Sequence, residues 1–511
     1  MSIVNKLKNK AGNFKETARR AKYAKYYKNL LIDDKVILYD SYFGRGMICN
    51  PYAIFLELKN NKDFKDYKHV WVIEDKYGNE PVMEQFKGDK NVFAISRHSD
   101  DHLRYLASAK YIITNVSLPF YYCKKEGQVY VNTWHGTPIK SLGYDMPDAP
   151  VTISNVLRNF LSADYILSAN PFLTSIYLGK YKLKGLYEGT IIEEGYPRND
   201  RLFRTDSKAV LKLLDKYGVE VDSKKDIILY APTWKGSDYN HPSIDVDEYI
   251  NFKRDLEAII DTDKYQVLLK PHQVVYKEMK KAGLMSDSLI PAFIDTNELL
   301  SITDILISDY SSIFFDFLVT DRPIMFYIPD LEEYKDTRGL YMEPEKLPGP
   351  ATDSLDKLSE MLANPYEAVK DWADNYRNAK EQFCPDDDGH VSERIVNAIF
   401  KNEYNHIKVV RLLQNKKKIF ISLGRALQNG ITHSFLSLLN NLNYDRFDVT
   451  AYLYEPIADD QILRINQINK NVRVLVRTGG NVATKEELSK MYFSMAFNCK
   501  GSYEKMLPEK Y

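Results

Sequence analysis

Short apolar runs alternate with amphipathic stretches along most of this chain. The first set of runs predicts strands at 35–40, 69–75, 110–115, 128–134, 164–170 and 190–197. The segments 51–60 and 99–109 between them have helical spacing, and Pro51 suits a first helical turn. Unbroken apolar runs separated by helices are typical of parallel sheets that are covered on both faces.

A second set of the same kind follows. It predicts strands at 226–234, 265–272, 304–310 and 322–328, with helices at 247–260, 273–283 and 311–319. Two such sets predict two doubly wound, Rossmann-like α/β domains facing a cleft, over residues 35–205 and 206–404. Helices at 354–363, 366–382 and 391–404 are expected to close the second domain. The last of them follows an acidic run at 386–388 and is expected to fold back over the cleft.

The pattern restarts after the basic stretch Lys416 to Lys418, where a strand, a glycine-containing loop and a helix follow one another. A Rossmann-like unit begins with the same order of elements. The remaining segment, 416–511, is too short for another two-domain enzyme. It is either a small appended domain or the start of a second glycosyltransferase-like domain in a longer protein, and we favour a truncated domain.

Charge is balanced over the chain, with 70 Lys and Arg against 70 Asp and Glu, so no nucleic-acid partner is indicated. The segment 1–34 is locally basic and has amphipathic helical spacing. Such a helix could lie on an anionic membrane surface. It could equally be a solvated helix that packs on the domain through Tyr23, Tyr26 and Tyr27.

Cysteine spacing and acidic clusters point to no metal. The four cysteines form no CxxC pair, so neither a zinc site nor a disulfide framework is predicted, which suits a reducing cytoplasm. The acidic runs 245–247 and 261–263 are interpreted as solvated or capping residues. Neither a signal peptide nor an apolar run of membrane-spanning length is present in the sequence.

Four polar clusters follow predicted strands, which is where open α/β sheets bind ligands. They are His135-Gly136-Thr137-Pro138, Ala231 to Gly236 with Thr233 and Trp234, Lys270-Pro271-His272, and Ser308 to Ser312 with Asp309. In the last cluster, Ser311 or Ser312 is expected to cap the following helix, whose free N–H groups and dipole favour a phosphate. A plain N-cap is the alternative for one serine, but it does not explain the whole cluster.

His135 and His272 come from different predicted domains, so a shared cleft could bring the two rings together. A neutral imidazole can take a proton from an attacking hydroxyl or give one to a leaving group. Lys270 and Arg338 are candidate partners for phosphate oxygens. A single histidine more often has a purely structural role. Because two histidines here occupy equivalent positions after strands, a purely structural role is a less convincing explanation for them.

Six motifs in order, WHGTPIKSLG, LYAPTW, LLKPH, SDYSSIFFDF, RPIMFY and YKDTRGLY, resemble the CDP-glycerol glycerophosphotransferase family. Its members are teichoic-acid primases and polymerases of Gram-positive bacteria, and the family is also found in capsule synthesis. The resemblance covers about residues 35–400. It implies a GT-B fold, in which two Rossmann-like domains face a cleft and the second binds most of the nucleotide.

The resemblance also implies a reaction. Glycerol phosphate or ribitol phosphate moves from a CDP-activated donor to a hydroxyl of a lipid-linked or growing polymer acceptor, and CMP is released. By motif, His135 matches the general base, with Gly136 and Thr137 on the acceptor side. His272 matches the histidine expected near the donor pyrophosphate. The remaining donor-side candidates are Ser311, Ser312, Asp309, Arg338, Lys270, Pro271, Thr233 and Trp234.

The family implies no metal or other cofactor and a peripheral location on the cytoplasmic face of a bacterial membrane. Oligomerisation stays open. One alternative function is a GT-B glycosyltransferase using a nucleotide sugar, but the sequence DYSS suits a phosphate better than sugar hydroxyls. Another is a non-catalytic nucleotide-binding scaffold, against which the two histidines argue. A third is a full-length bifunctional polymerase that makes a sugar and polyol-phosphate repeat.

Overall fold

The computed structural model describes residues 3–74, 81–147, 149–233, 246–283, 288–332, 339–411, 415–480 and 482–496. Trp234 and Arg338, two of the predicted donor-side residues, lie outside these ranges. The described residues form a mixed α/β structure built on parallel sheets, which confirms the fold class predicted from the alternation of apolar runs and helices.

The strands alternate with helices over most of the chain. The first group is β1 (Asp33–Asp40), β2 (Lys68–Ile73), β3 (Val92–Ser96), β4 (Ala109–Thr114), β5 (Val129–Asn132), β6 (Tyr165–Ser168) and β7 (Thr190–Glu193). The second is β8 (Asp226–Tyr230), β9 (Tyr265–Leu269), β10 (Ile305–Ser308), β11 (Ile324–Tyr327), β12 (Ala351–Thr352) and β13 (Val409–Val410). The third is β14 (Lys417–Gly424), β15 (Phe447–Leu453) and β16 (Arg473–Val476).

The helices fall into the same three groups. The first is α1 (Ile3–Asn29), α2 (Cys49–Asn60), α3 (Asp100–Ser108), α4 (Ala149–Thr152), α5 (Ser154–Ser162), α6 (Pro171–Ser175), α7 (Asp200–Arg204) and α8 (Ser207–Lys216). The second is α9 (Val246–Ile259), α10 (Gln273–Lys281), α11 (Thr296–Ser301), α12 (Ile313–Phe317), α13 (Leu355–Ala363), α14 (Pro365–Ala368), α15 (Ala373–Phe383) and α16 (Val391–Lys401). The third is α17 (Gly430–Asn440), α18 (Asp459–Ile465) and α19 (Lys485–Ala496).

Two large sheets and a smaller one organise these elements. The first sheet has the order β13-β7-β6-β5-β4-β1-β2-β3, and the second has the order β12-β11-β10-β8-β9. Strands are parallel throughout, except that β13 runs antiparallel to β7. The third sheet, β14-β15-β16, is also parallel. Parallel strands bring their carboxyl ends to one edge of each sheet, and the polar motifs therefore gather there.

The last helix of the predicted second domain lies elsewhere. In α16, Val391, Ile395 and Val396 are buried in the core that contains Ile37 and Trp71 of the first sheet. The chain therefore returns to the first domain, and β13 adds to its edge. The apolar face of α16 fits that core, so the helix packs on the first domain and does not close the second domain as predicted. The edge strand β3 was also not predicted, because it is short and only half buried.

The second half of α1 packs on the first domain through its tyrosines. The buried Tyr23 hydroxyl donates to the carbonyl oxygen of Cys123 at 2.8 Å, and Tyr26 donates to Asp100 Oδ1 at 2.7 Å. This packing is one of the two interpretations that the sequence allows. Side chains before Lys15 lie outside the description, so surface binding by the first half stays a prediction. Of the helices described, none has the length and apolar character to cross a membrane.

Candidate active site

His135 is presented by a tight turn at the end of β5. Trp134, the residue before it, adopts φ +51°, which is uncommon for a bulky side chain. Two hydrogen bonds hold this conformation: Trp134 N donates to Asn132 Oδ1, and Trp134 Nε1 donates to the Gly136 carbonyl, both at 3.0 Å. The turn therefore leaves the strand at once and directs the chain into the cleft.

The His135 ring is oriented by a backbone carbonyl. Its Nδ1 lies 2.7 Å from the carbonyl oxygen of Asn115, which can only accept, so Nδ1 carries the hydrogen. In the neutral ring Nε2 is then the acceptor. Burial lowers the pKa of His135 to about 4, and the positive charges of Arg198 and Lys140 act in the same direction. The ring is therefore neutral at pH 7, as a general base must be.

His272 follows β9 in the second domain and belongs to the same cleft. Burial lowers its pKa to about 3, and the positive charges of Arg45 and Lys140 act in the same direction, as does the neighbouring His135 ring when it is protonated. Arg45, Lys140 and His135 belong to the first domain, so the structure brings the predicted pair of histidines into one electrostatic neighbourhood. Pro271, the residue before His272, is buried.

The loop after β10 meets the His135 turn across the domain boundary. Ser312 stands at the N-cap position of α12, but its hydroxyl makes no capping hydrogen bond, which differs from the predicted cap. Instead, a Cβ atom built on Gly136 would come within 2.8 Å of Ser312 Oγ. The two loops are thus in close contact, with Ser311 half-buried at the same place.

Asp309 holds its own loop together. Its carboxylate accepts hydrogen bonds from Thr233 N at 2.8 Å, Thr233 Oγ1 at 2.7 Å and Ser311 N at 3.0 Å. Burial raises the pKa of Asp309 to about 6. Asp309 and Thr233 therefore fix the ends of β8 and β10 relative to each other, and they position Ser311. On the first domain, Thr137 is likewise engaged, because its Oγ1 accepts from Asn170 Nδ2 at 3.0 Å.

Lys270 does not lie where the sequence placed it. The predicted phosphate contact is buried, and its Nζ donates to the carbonyl oxygens of Pro291 at 2.8 Å and Ile294 at 2.9 Å. Burial lowers its pKa to about 7. These contacts anchor the segment before α11, because a buried ammonium must satisfy its donors locally.

A buried ion pair joins the two domains beneath the site, and it was not predicted from the sequence. Arg198 Nη2 lies 2.9 Å from Asp316 Oδ2, and each side chain is only 6% exposed. Arg198 Nη1 also donates to the carbonyl oxygen of His135 at 2.7 Å. The available signal was Asp316 itself, a charged residue within the apolar helix IFFDF.

Arg45 and Lys140 are the other residues that sequence reasoning missed. Lys140 belongs to the segment that leaves the His135 turn, and this segment forms a backbone bridge to Leu340 of the second domain. Arg45 precedes α2. Both cations lower the pKa of His272 through their positive charge, and two such side chains beside the histidine suit an anionic ligand such as a pyrophosphate. In the sequence, Lys140 could have been recognised as a site residue from its position five residues after His135.

The described part of the chain contains no group of three or more His, Cys, Asp or Glu placed to hold a metal ion. What it assembles at the domain boundary is a neutral imidazole from each domain, two serines, and two cations. Such a set can accept a proton from a hydroxyl and stabilise negative charge on transferring phosphoryl oxygens.

Comparisons with known proteins find a matching family model and several relatives. A family model described as CDP-Glycerol:Poly(glycerophosphate) glycerophosphotransferase matches residues 22–401. The chain is 36% identical over 385 residues to a teichoic acid poly(glycerol phosphate) polymerase of Bacillus spizizenii, covering 71% of this chain and 91% of that protein. It is 30% identical over 387 residues to a teichoic acid glycerol-phosphate transferase of Staphylococcus aureus, covering 73% and 94%.

A solved structure is similar as well. The wall teichoic acid polymerase TagF, in a histidine variant soaked with CDPG, superposes with a TM-score of 0.63 at 27% identity. The match covers 79% of this chain and 98% of that one. The residues matched by the family model end at 401, so β14 to β16 lie outside it.

Proposed function

Because the chain belongs to the CDP-glycerol:poly(glycerophosphate) glycerophosphotransferase family, we propose that it transfers a polyol phosphate from a CDP-activated donor to an acceptor hydroxyl in teichoic acid or capsular polymer synthesis. The observation that carries this proposal is the pair His135 and His272, one from each domain, with the cations Arg45 and Lys140 close enough to act on His272. Glycerol phosphate is the first choice of transferred group, since the relatives matched over most of their length are named for it.

In the proposed mechanism, Nε2 of His135 takes the proton of the acceptor hydroxyl. The hydroxyl oxygen attacks the phosphorus that carries the polyol, a new P–O bond forms, and the bond to the bridging oxygen of CMP breaks. Negative charge develops on the leaving phosphate and is stabilised by His272, Arg45 and Lys140. Ser311 and Ser312 donate to the non-bridging oxygens. Positioning and charge stabilisation are the main demands of phosphoryl transfer.

The proposal also covers location and partners. The acceptor is a lipid-linked or polymeric polyol phosphate, and the enzyme works at the cytoplasmic face of the membrane as a peripheral protein. The support for surface binding is the row of lysines and arginines along α1. Side chains supply the charge stabilisation, so no metal or other cofactor is required in this mechanism.

The activity is tested by incubating the protein with CDP-glycerol, CDP-ribitol or a UDP-sugar, together with a synthetic lipid-linked polyol-phosphate acceptor. CMP release that depends on acceptor, and that persists in EDTA, is expected with a CDP-polyol. Turnover of a UDP-sugar alone would overturn the proposal. Loss of transfer in EDTA, restored by a divalent cation, would overturn its metal-free form.

The two histidines are tested by substitution. His135→Ala and His272→Ala are each expected to lower kcat by about 10²–10⁴-fold, because each removes a group that moves a proton or stabilises charge. His433→Ala, at an exposed position of α17, is the control with unchanged turnover. Near-normal kcat in either cleft variant, with an unchanged circular dichroism spectrum, would remove that histidine from the mechanism.

A further inference from the structure

A second cavity, of about 330 Å³, lies between the domains next to the active site. Pro138 and Phe172 line it from the first domain, and Phe315 and Tyr341 line it from the second. Pro138 comes three residues after His135, and Phe315 comes three residues after Ser312. The cavity therefore borders the place where the His135 turn meets the Ser312 loop.

Its inner wall is aromatic and rigid. The ring of Phe172 lies 6.1 Å from that of Tyr341 and 5.6 Å from that of Phe383, and Phe315 lies 4.6 Å from Phe383. These centroid distances are those of edge-to-face packing, which fixes the rings before any ligand binds. Flat apolar faces of this kind suit the C–H groups of a carbon backbone.

The opposite wall is one face of α15 that carries side-chain amides. Asn375, Asn378 and Gln382 are spaced three and four residues apart, so they share this face. The Asn375 amide donates to the carbonyl oxygens of Glu345 and Leu347 and is part of the scaffold. Asn378 and Gln382 are exposed at the cavity, and each offers a donor and an acceptor to hydroxyl groups.

The charge of the cavity favours an anion. Among its described lining residues there is a lysine, Lys346, and no carboxylate. The larger cavity on the other side of α15, about 840 Å³, differs in this respect because Asp321 and Glu381 line it. Lys380 there is also neutralised by Asp321 at 2.7 Å.

From these observations we propose that the cavity between the domains is an acceptor subsite, which rests on the function proposed above. It binds a polyol-phosphate unit of the acceptor chain, adjacent to the unit whose hydroxyl faces His135. The carbon backbone of that unit lies on Phe172 and Tyr341, its hydroxyls bind Asn378 and Gln382, and its phosphate pairs with Lys346. The subsite makes a chain of several units a better acceptor than a single unit.

The test introduces like charge into the subsite. Asn378→Asp and Gln382→Glu, both at exposed positions, are expected to raise KM for an oligomeric polyol-phosphate acceptor about tenfold, because an unpaired carboxylate repels the phosphate. KM for the CDP-polyol donor and kcat stay within about twofold. Arg377→Gln, which makes the same charge change on the other cavity's side of α15, is the control with unchanged KM.

The outcomes separate this inference from the proposed function. If the wild-type protein releases no CMP with any CDP-polyol, the proposed function fails. If it transfers normally but Asn378→Asp leaves KM for the oligomer unchanged, the subsite is wrong. It is also wrong if KM rises equally for a single-unit lipid-linked acceptor and for the oligomer, or if Arg377→Gln raises KM as much.

Discussion

His135, the proposed general base, is held in its orientation by neighbours that the linear sequence does not reveal. The carbonyl of Asn115 fixes its tautomer, and Arg198 holds its backbone oxygen. The unusual φ of Trp134 is maintained by the buried indole, whose N–H is satisfied by Gly136. A strained residue at a strand end is common where a side chain must be aimed at a ligand.

Gly136 provides a prediction at the scale of the single residue. Gly136→Ala is expected to destabilise the protein by about 1 kcal/mol, because the new Cβ would lie 2.8 Å from Ser312 Oγ and the serine side chain would have to turn away. KM for the donor should rise as Ser312 moves, which steady-state kinetics and a thermal melt would measure together.

The matched variant is Gly136→Ala combined with Ser312→Ala. It removes the clashing oxygen and should recover most of the lost melting temperature, but not the affinity for the donor. If Gly136→Ala alone melts and binds donor like the wild-type protein, the close approach of the two loops is not a constraint on the site.

At the scale of elements, the cleft is assembled by loops that follow parallel strands, and α12 is tied to the first domain through Arg198 and Asp316. Each side chain of this pair is only 6% exposed, and Arg198 reaches both Asp316 and the His135 carbonyl. The planar guanidinium with its fixed fork is suited to contacting both groups at once. The pair therefore links the position of His135 to that of the serine loop.

Substitution of this pair should affect turnover more than donor binding. Arg198→Lys is expected to lower kcat about 10- to 100-fold with less than a threefold change in donor KM, since a lysine cannot hold the carboxylate and the His135 carbonyl together. Asp316→Asn should cost about 3–5 kcal/mol of stability, because it leaves a buried guanidinium without its counter-charge. Thermal melts and steady-state kinetics measure both effects.

A double variant distinguishes positioning from folding. Arg198→Met with Asp316→Leu removes both charges and should regain much of the stability lost in Asp316→Asn. Its kcat should stay low, since nothing then fixes the His135 turn. Recovery of turnover along with stability would mean that the pair contributes only to the fold.

At the scale of the whole molecule, the chain crosses from the second domain back to the first through residues 384–391. Asp387 fastens this crossing: its Oδ1 accepts from Tyr196 N at 3.0 Å and from Asn199 Nδ2 at 3.1 Å. Its Oδ2 is shielded and has no partner among the residues described. Burial raises the pKa of this carboxyl to about 8.

The raised pKa makes a prediction about stability and pH. The unfolded chain loses this proton near pH 4, whereas the folded protein keeps it to about pH 8, so the folded state binds more protons in that window. The contribution of Asp387 to stability is therefore fully present below pH 4 and is lost as pH rises towards 8. The slope is at most about 1.4 kcal/mol per pH unit.

Asp387→Asn keeps the accepting oxygen and removes the titration. Its melting temperature relative to the wild-type protein should therefore increase steadily between pH 5 and pH 8. A constant difference over that range would show that the carboxyl does not titrate as described. His69→Gln at the buried end of β2 is a suitable reference, because burial lowers the pKa of His69 to about 4 and its effect has the opposite sign.

The sequence by itself determined the fold class, the family and the candidate residues of the proposed site. Apolar runs alternating with helices can only be buried as covered parallel sheets, and the strand ends then place His135, His272 and the Ser311–Ser312 pair at one edge of each sheet. The six motifs, in their order along the chain, were sufficient to identify the family. These features are local patterns or follow from a general rule of parallel sheets.

What only the tertiary structure decided was which polar residues face the ligand and which serve the scaffold. Lys270 and Asp309 were both predicted to contact the donor phosphates, yet both bind neighbouring backbone and side-chain groups. Arg198, Asp316, Lys140 and Arg45 acquire their roles from partners that are distant in sequence. The placement of α16 on the first sheet likewise depends on core residues that are distant in sequence. Each outcome depends on how the two domains meet, because most polar groups that are buried at that contact must find a hydrogen-bond partner there.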